Sequence, residues 1–131
     1  MKKYDIFDFN GIGYQKLFHY DSWRIAILKY IDELDIENIQ YVECHHETDE
    51  AFVLLEGQCR LYFYDHEDGF SFIDMEKFQT YVIHKDIYHT HVLDKQAKLL
   101  IIENENTQDT NSSRIYLTPS MKADLLKKRK V

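Results

Sequence analysis

The sequence has little proline, glycine or cysteine. Its 131 residues include one proline and four glycines, and they contain no low-complexity segment and no internal repeat. The two cysteines, Cys44 and Cys59, lack the spacing of a disulfide framework, and both lie in apolar, strand-like surroundings. We therefore expect reduced thiols buried in a core. A chain of this length predicts a single domain over residues 1–131, large enough to bury a hydrophobic core.

Long apolar runs and an excess of positive charge are also absent. No run approaches the roughly 20 residues that a membrane-spanning helix needs. The 16 basic residues are outnumbered by 23 acidic ones, which gives a formal net charge of −7. Bulk electrostatics therefore argue against nucleic acid or an anionic membrane as a partner. We expect a soluble, cytoplasmic protein.

Aromatic side chains are abundant, with ten tyrosines, eight phenylalanines and one tryptophan. Aromatic and β-branched residues favour strands. About nine short strands are predicted, because apolar runs alternate with turn signals at intervals of roughly ten residues. This pattern is typical of an all-β fold, a double-sheet barrel or jelly roll. The period-two pattern is clearest over residues 36–103, which we expect to form the barrel proper.

The two ends of the chain carry different signals. Residues 1–31 are aromatic-rich and predict N-terminal strands, in which the run at 23–31 forms a hairpin with the run at 16–20. Residues 104–113 are polar and predict a loop. Thr118 then predicts a helix N-cap with Pro119 at the first helical position, and the basic residues that follow suit the negative end of a helix. We expect a short C-terminal helix over residues 118–130.

Four of the seven histidines occur in two tight clusters beside strand-like runs. His45 and His46 precede Glu50, and His89 and His91 lead into a later strand. Neighbouring strands of a barrel can direct side chains into a common interior, so the two clusters can converge on one point. Imidazole and carboxylate ligands suit Zn, Fe, Mn or Ni better than Ca or Mg. The sequence therefore predicts a divalent transition-metal site built from these residues.

This pattern resembles the two sequence motifs of the cupin superfamily. In the first motif a glutamate is followed after six residues by a glycine, as Glu50 is followed by Gly57 here. In the second motif a histidine ends a short turn, and His89 aligns with that histidine after residues 84–88. The resemblance covers residues 36–103. It implies a double-stranded β-helix (jelly-roll) barrel with a metal held by histidines and the glutamate.

The chain departs from both motifs, which leaves the ligand set open. The first cupin motif places a His-X-His pair three or four residues before the glutamate. With three intervening residues, His46 matches the second histidine and Cys44 replaces the first. With four, His45 matches and Glu43 replaces the first. The second motif lacks its proline and glycine, and leucine stands at its asparagine position. A cysteine or a carboxylate is then a candidate for the missing ligand.

Strand alternation offers a way to choose between the two alignments. Val42, Cys44 and His46 share one face of an extended strand. Glu43 and His45 share the other face. Because a barrel interior is apolar apart from its site, and Val42 and Cys44 are the more apolar pair, we expect His46 to point inward. His45 is then expected to face outward or to cover the rim, unless a bulge shifts the strand by one residue.

The resemblance implies two main classes of function. One is a metal-binding cupin that binds or converts a small polar molecule, with Glu50, His89 and either His45 or His46 as ligands. His91 lies two residues beyond His89 and is able to replace a missing ligand. The other is a metal-free, non-catalytic cupin that senses or stores a small ligand, and a barrel whose site has decayed is a third possibility. The residues leave open whether the protein is an enzyme.

Assembly is a further expectation from the resemblance. Cupins often dimerise, and the aromatic-rich N-terminal strands are suited to adding to a partner's sheet edge. We therefore expect a homodimer.

Overall fold

The computed structural model describes residues 2–107 and 111–129. Within these residues it contains ten β-strands and one α-helix, and no helix there is long and apolar enough to cross a membrane. The strands are β1 (Tyr14–Tyr20), β2 (Trp23–Lys29), β3 (Tyr41–His45), β4 (Glu50–Glu56), β5 (Cys59–Asp65), β6 (Gly69–Asp74), β7 (Thr80–Ile83), β8 (Tyr88–Leu93), β9 (Lys98–Asn104) and β10 (Ser112–Tyr116). The helix is α1 (Pro119–Lys127), and two short 3-10 helices, Asp32–Leu34 and Ile36–Asn38, connect β2 to β3.

The strands form two five-stranded sheets whose neighbours all pair antiparallel. The first sheet has the order β1-β2-β9-β4-β7, and the second has the order β10-β3-β8-β5-β6. The predicted hairpin of the N-terminal region is present, since β1 pairs with β2. The all-β jelly-roll architecture expected from the sequence is confirmed.

The inner core lies between the two sheets. Phe52 and Leu54 of β4 lie opposite Ile101 and Leu99 of β9, so alternate side chains of both strands point to the same side. Leu61 of the second sheet packs into the same cluster. The buried members are Ala26, Leu28, Phe52, Leu54, Cys59, Leu61, Met75, Ile83, Leu93, Ala97, Leu99 and Ile101. This core closes the barrel below the candidate site.

A second, outer core lies on the other side of the second sheet, beneath α1. Leu125 of the helix is fully buried and belongs to a cluster with Val42 of β3, Tyr62 of β5 and Phe70 of β6. The second sheet is therefore covered on both faces, by the first sheet on one side and by α1 on the other.

The start of α1 is fixed as the sequence predicts. The Thr118 hydroxyl accepts a hydrogen bond from the Met121 N–H at 3.2 Å, and Pro119 lies in the first turn. Asp124 then ties the helix to β6, because its Oδ2 accepts the Phe70 N–H at 2.8 Å. The helix ends before the predicted boundary, and residue 130 lies outside the described residues.

Three segments differ from the expectation. Residues 112–116 form the edge strand β10, although the sequence predicted a loop as far as residue 113 and no strand after it. Ser112 of this strand lies opposite His45. Residues 36–38 form a 3-10 helix, so β3 begins later than predicted. Residues 2–13 contain no strand. The first residues of β10 are polar and do not alternate with apolar ones. An edge strand can have this pattern because it is paired on one side only and is partly exposed to solvent.

Candidate metal centre

His45, Glu50 and His89 bring one ligand-type atom each to a common point inside the barrel. His45 Nε2 lies 2.8 Å from Glu50 Oε1, and His89 Nε2 lies 3.4 Å from the same oxygen. The candidate ligand atoms all lie within 4.8 Å of one another. Each of the three residues is only 5% exposed. The arrangement is a buried set of two imidazoles and one carboxylate.

Strand register explains why these side chains meet. Glu50 begins β4 and shares the inward face of Phe52. His89 of β8 lies opposite Glu43 of β3, and paired residues of antiparallel strands share a face. His45 follows Glu43 by two residues and therefore points to the same side as His89.

The prediction that His46 points inward and His45 outward is wrong. The His46 side chain is 43% exposed. Its Nδ1 lies 2.7 Å from Asp86 Oδ1 and its Nε2 lies 2.6 Å from Ser113 Oγ, both on the outside of the barrel. His46 is thus held away from the group formed by His45 and its partners.

The error has a physical cause in the outer core. Val42 and Cys44 are fully buried as expected, but Val42 packs against Leu125 of α1 and not against the barrel interior. The apolar pair Val42 and Cys44 therefore marks the outer face of β3, and its inner face carries Tyr41, Glu43 and His45. No bulge is involved, since β3 pairs with β10 without a register shift from Tyr41 to His45.

His91 lies beside the group without joining it. Its ring is 5.5 Å from that of His89 and 4.8 Å from that of Phe52. Its Nε2 is buried and has no hydrogen-bond partner in the described part of the chain. Burial lowers the pKa of His91 to about 3, so the imidazole is neutral. The predicted ligand His91 is therefore placed in the cavity wall, next to the three converging atoms.

The outward nitrogens of both inward histidines are anchored. His45 Nδ1 lies 2.6 Å from Ser112 Oγ, and His89 Nδ1 lies 2.9 Å from the Ile87 carbonyl oxygen. A carbonyl only accepts, so His89 Nδ1 must carry the hydrogen and donate it. In a neutral imidazole, Nε2 then presents a lone pair to the Glu50 carboxylate. Such anchoring of the remote nitrogen is usual for histidines that bind metals.

The electrostatics of the group fit a bound cation. Burial disfavours the charged forms of Glu50 and His45, but their proximity outweighs it, lowering the pKa of Glu50 and raising that of His45. Glu50 Oε1 makes no well-directed hydrogen bond within residues 2–107 and 111–129, although two imidazole nitrogens lie against it. His89 Nε2 presents a lone pair to this buried carboxylate oxygen, and a positive charge between the two atoms, such as a metal ion, would relieve their repulsion. The residues present therefore fit a metal ion.

Comparison with known proteins identifies the fold. No family model and no curated protein matches the chain. Among solved structures, a cupin-2 domain protein from Shewanella frigidimarina NCIMB 400 is 23% identical with a TM-score of 0.55, covering 74% of this chain and 85% of that one. A cupin superfamily protein from Desulfitobacterium hafniense DCB-2 is 19% identical with a TM-score of 0.53, covering 72% and 78%. The chain has the cupin fold.

A third solved structure of this fold is an enzyme crystallised with a metal. HppE in its cobalt(II) form, in complex with substrate, is 15% identical with a TM-score of 0.54 over 70% of this chain. The present chain spans only 52% of that protein's length. Identities of this size establish a common fold and leave the reaction open.

The structure also selects one alignment of the first cupin motif. His45 points inward and precedes Glu50 by four intervening residues, so Glu43 stands where the motif has its first histidine. Glu43 shares the face of His45 and lines the same cavity. In this chain a carboxylate thus stands beside the candidate ligands, where the cupin motif has an imidazole.

Glu103 is a buried carboxylate of the site that the sequence analysis did not single out. It lies on β9, on the face of Ile101, at the end of the strand nearest Glu50. Burial and the Glu50 carboxylate raise the pKa of Glu103. Arg24 Nε donates to Glu103 Oε2 at 2.7 Å, and the Tyr14 hydroxyl donates to the same oxygen. The sequence does contain one indication of this role: Glu103 alternates with Leu99 and Ile101 along β9, so a charged residue occupies an inward position.

The group opens into a cavity of about 430 Å³. Its wall includes the inward residues of β3, β4 and β8 together with residues of the 3-10 helices. This volume is suited to a small molecule. A larger cavity of about 570 Å³ is lined by residues that include Arg60 and Arg129, and no histidine lines it in the described part of the chain.

Proposed function

We propose that the protein is a metal-binding cupin that binds or converts a small polar molecule. His45, Glu50 and His89 are its ligands to a divalent transition metal. The observation that carries the proposal is the convergence of one atom from each of these buried side chains on a single point. Two nitrogens and one oxygen suit Zn, Fe, Mn or Ni, and three protein ligands leave positions open for a further ligand.

The surrounding residues orient the ligands and shield them from water. Ser112 and Ile87 hold the outer nitrogens of the two histidines. Phe52 packs its ring 6.3 Å from that of His89, at the inner end of the cavity. A metal bound here would supply a Lewis acid or a centre for O₂ activation. The cavity of about 430 Å³ then determines which molecules reach it.

The comparison structures support the proposal at the level of the fold. HppE, which shares this fold, has been solved with cobalt(II) and a substrate bound. The same architecture can therefore hold a transition metal. The proposal for this chain depends on its own three residues and not on the activity of HppE.

A second candidate is a metal-free cupin that binds a small ligand. It is favoured by the 2.8 Å contact between His45 Nε2 and Glu50 Oε1, since a protonated His45 would neutralise the carboxylate without a metal. The raised pKa of His45 is consistent with this ion pair. The two candidates differ in one measurable property, the uptake of metal.

Elemental analysis of the purified protein separates these candidates. We expect about one Zn, Fe, Mn or Ni ion per chain, or uptake of that amount after chelator treatment and reloading. Reloading with Co(II) should give visible d–d absorption bands, which should be lost in Glu50→Gln. Glu67→Gln, a change in the exposed loop between β5 and β6, is the matched control. No uptake of Zn, Ni, Co(II) or Fe(II) would favour the metal-free candidate.

A further inference from the structure

His46, which points away from the barrel interior, is the centre of a hydrogen-bonded chain on the outer face of the second sheet. Its Nδ1 lies 2.7 Å from Asp86 Oδ1, and its Nε2 lies 2.6 Å from Ser113 Oγ. An ionised carboxylate only accepts hydrogen bonds, so Nδ1 carries the hydrogen and donates it to Asp86. In a neutral imidazole, Nε2 is then the acceptor, and the Ser113 hydroxyl donates to it. The side chains have the order serine, histidine, aspartate, in which a serine hydroxyl is activated for nucleophilic attack.

The pairing of the strands brings these groups together. Ser113 of β10 lies opposite Cys44 of β3, so its side chain shares the outer face with those of Cys44 and His46. Asp86 belongs to the turn before β8, and its N–H donates to the His45 carbonyl oxygen at 2.8 Å. This hydrogen bond holds the turn beside β3. Three separate segments of the chain therefore meet at one imidazole.

Ser113 is the nucleophile that this geometry favours, although a thiol lies close by. Cys44 Sγ is 3.9 Å from His46 Nε2, whereas Ser113 Oγ is 2.6 Å from it. Cys44 is fully buried, but Ser113 is partly exposed, and the side chains of His46 and Asp86 are 43% and 60% exposed. A molecule in solution therefore reaches the hydroxyl and not the sulfur.

The open edge of the sheet supplies a hydrogen-bond donor next to Ser113. Among the described strands, β10 pairs with β3 alone. The Leu117 N–H donates to the Gln40 carbonyl oxygen at 2.9 Å, and the register is unbroken back to Ser113, so alternate residues counted from Leu117 are the ones bonded to β3. The N–H of Arg114 therefore points to the open edge. It directly follows Ser113, as the backbone N–H that stabilises the oxyanion follows the nucleophile in α/β-hydrolases.

We propose that Ser113, His46 and Asp86 form a second site, independent of the metal centre, that hydrolyses small activated esters. Ser113 Oγ attacks the carbonyl carbon while its proton passes to His46 Nε2. His46 gives this proton to the leaving oxygen as the ester carbon–oxygen bond breaks, which leaves the acyl group on Ser113. Water, deprotonated by the same nitrogen, then releases the acid and restores the hydroxyl. Asp86 is a positioning residue, since it holds the hydrogen on Nδ1.

Diisopropyl fluorophosphate tests the nucleophile directly, on the full chain after chelator treatment. Attack by Ser113 Oγ forms a phosphorus–oxygen bond, breaks the phosphorus–fluorine bond and leaves a covalent adduct that peptide mass spectrometry locates. Labelling of Ser113 should be at least about tenfold faster than that of Ser71, an exposed serine on the edge strand β6 of the same sheet. This factor lies below the usual range for general-base catalysis, because water screens the exposed Asp86 carboxylate.

Substitutions separate activation of the hydroxyl from packing. His46→Gln and Asp86→Asn should each slow the labelling of Ser113 by at least about tenfold, whereas Asp86→Glu, which keeps the carboxylate, should lose less. His84→Gln is the matched control and should leave the rate unchanged. His84 Nδ1 also faces a carboxylate, that of Asp49 at 3.3 Å, but no serine contacts its ring in the described part of the chain.

Turnover is followed with p-nitrophenyl acetate on the same chelator-treated samples, in which a metal-bound water cannot contribute. Hydrolysis should be lost in Ser113→Ala and kept in Ser71→Ala. Equal labelling of Ser113 and Ser71, or an unchanged rate in His46→Gln, would overturn the proposal and leave the hydrogen-bonded chain as a structural link between β3, β8 and β10. Labelling of Ser113 without hydrolysis of p-nitrophenyl acetate would overturn the second half of the reaction.

Discussion

Glu43 of β3 lies directly opposite His89 of β8 in the second sheet. This pairing sets the phase of β3 and therefore points His45, not its neighbour His46, into the barrel. It also puts a carboxylate at the position where the cupin motif has its first histidine. A single register thus determines both the imidazole that faces Glu50 and the unusual residue beside it.

Metal uptake should distinguish the two adjacent histidines. His45→Ala and His89→Ala each remove one of three candidate ligands, so we expect metal affinity to fall by at least about a hundredfold. His46→Ala removes an exposed imidazole that contacts Asp86 and Ser113, so uptake should be unchanged. Elemental analysis after dialysis against equal concentrations of zinc gives the comparison.

The His46→Ala variant is also the control for folding. Each of the three proteins should give the same far-ultraviolet circular dichroism spectrum, dominated by strand. If His46→Ala abolished uptake and His45→Ala preserved it, the inward orientation of His45 would be incorrect.

Gly57 should be far less replaceable than Gly13, although both have positive φ, at 71° and 75°. A Cβ on Gly57 would lie 2.5 Å from the Ala97 nitrogen, whereas one on Gly13 would meet only a side-chain carbon of Ile31 at 3.5 Å. Gly13→Ala should cost roughly 1–2 kcal/mol of unfolding free energy, for backbone conformation alone. Gly57→Ala should cost roughly 3 kcal/mol or more, because backbone must also move. Urea denaturation measures both, and equal losses would contradict the close approach to Ala97.

Asp124 should stabilise the packing of α1 on β6 in a pH-dependent way. The Phe70 N–H and Lys128 lower the pKa of this carboxyl despite slight burial. Since the folded pKa lies below the unfolded value, its stabilisation is present above about pH 3.9 and is lost as the pH falls through the folded pKa. At pH 7, Asp124→Ala should reduce the unfolding free energy by about 1–2 kcal/mol. Urea titrations at several pH values should show this difference shrinking in acid, and the same change at Asp68 should have little effect.

The expected homodimer remains a prediction, and we expect its interface at a group of exposed aromatic residues. Phe18, Tyr20 and Trp23 are 39%, 65% and 41% exposed and lie together on β1 and β2, at the edge of the first sheet. Edge strands with apolar side chains are suited to pairing with a second copy. We expect a dimeric mass by light scattering at micromolar concentration, and a monomeric mass for Phe18→Glu.

The matched control is Ile73→Glu, on the edge strand β6 of the other sheet, where the side chain is 44% exposed. This variant should remain dimeric. A monomeric mass for the unmodified protein would contradict the prediction.

Much of the fold could be predicted because its strands alternate with clear turns. The hairpin of β1 and β2 and the capped helix at Thr118 follow from local patterns and are present. β10 could not be predicted in the same way. Its polar Ser112 and Ser113 are extended because β3 supplies their partners, and that long-range pairing leaves no signal in the local sequence.

The sequence predicted which residue types form the candidate site, but it predicted only some of their orientations. The spacing from Glu50 to Gly57 and the position of His89 identified two of the three converging residues. The choice between His45 and His46 failed, because the apolar side chains of β3 face the outer core beneath α1 and not the barrel interior. Glu103 was missed because its role depends on the register of β9 against β4, which is a property of the folded sheet.

The packing of α1 on the second sheet limits which substitutions β3 can tolerate. A strand with one solvated face tolerates polar changes at every second position, and its substitution profile therefore alternates. β3 is covered by the barrel interior on one side and by Leu125 on the other, so Val42, Cys44 and His45 are all buried. A saturation library across Tyr41–His45 should therefore show intolerance at the consecutive codons for Cys44 and His45.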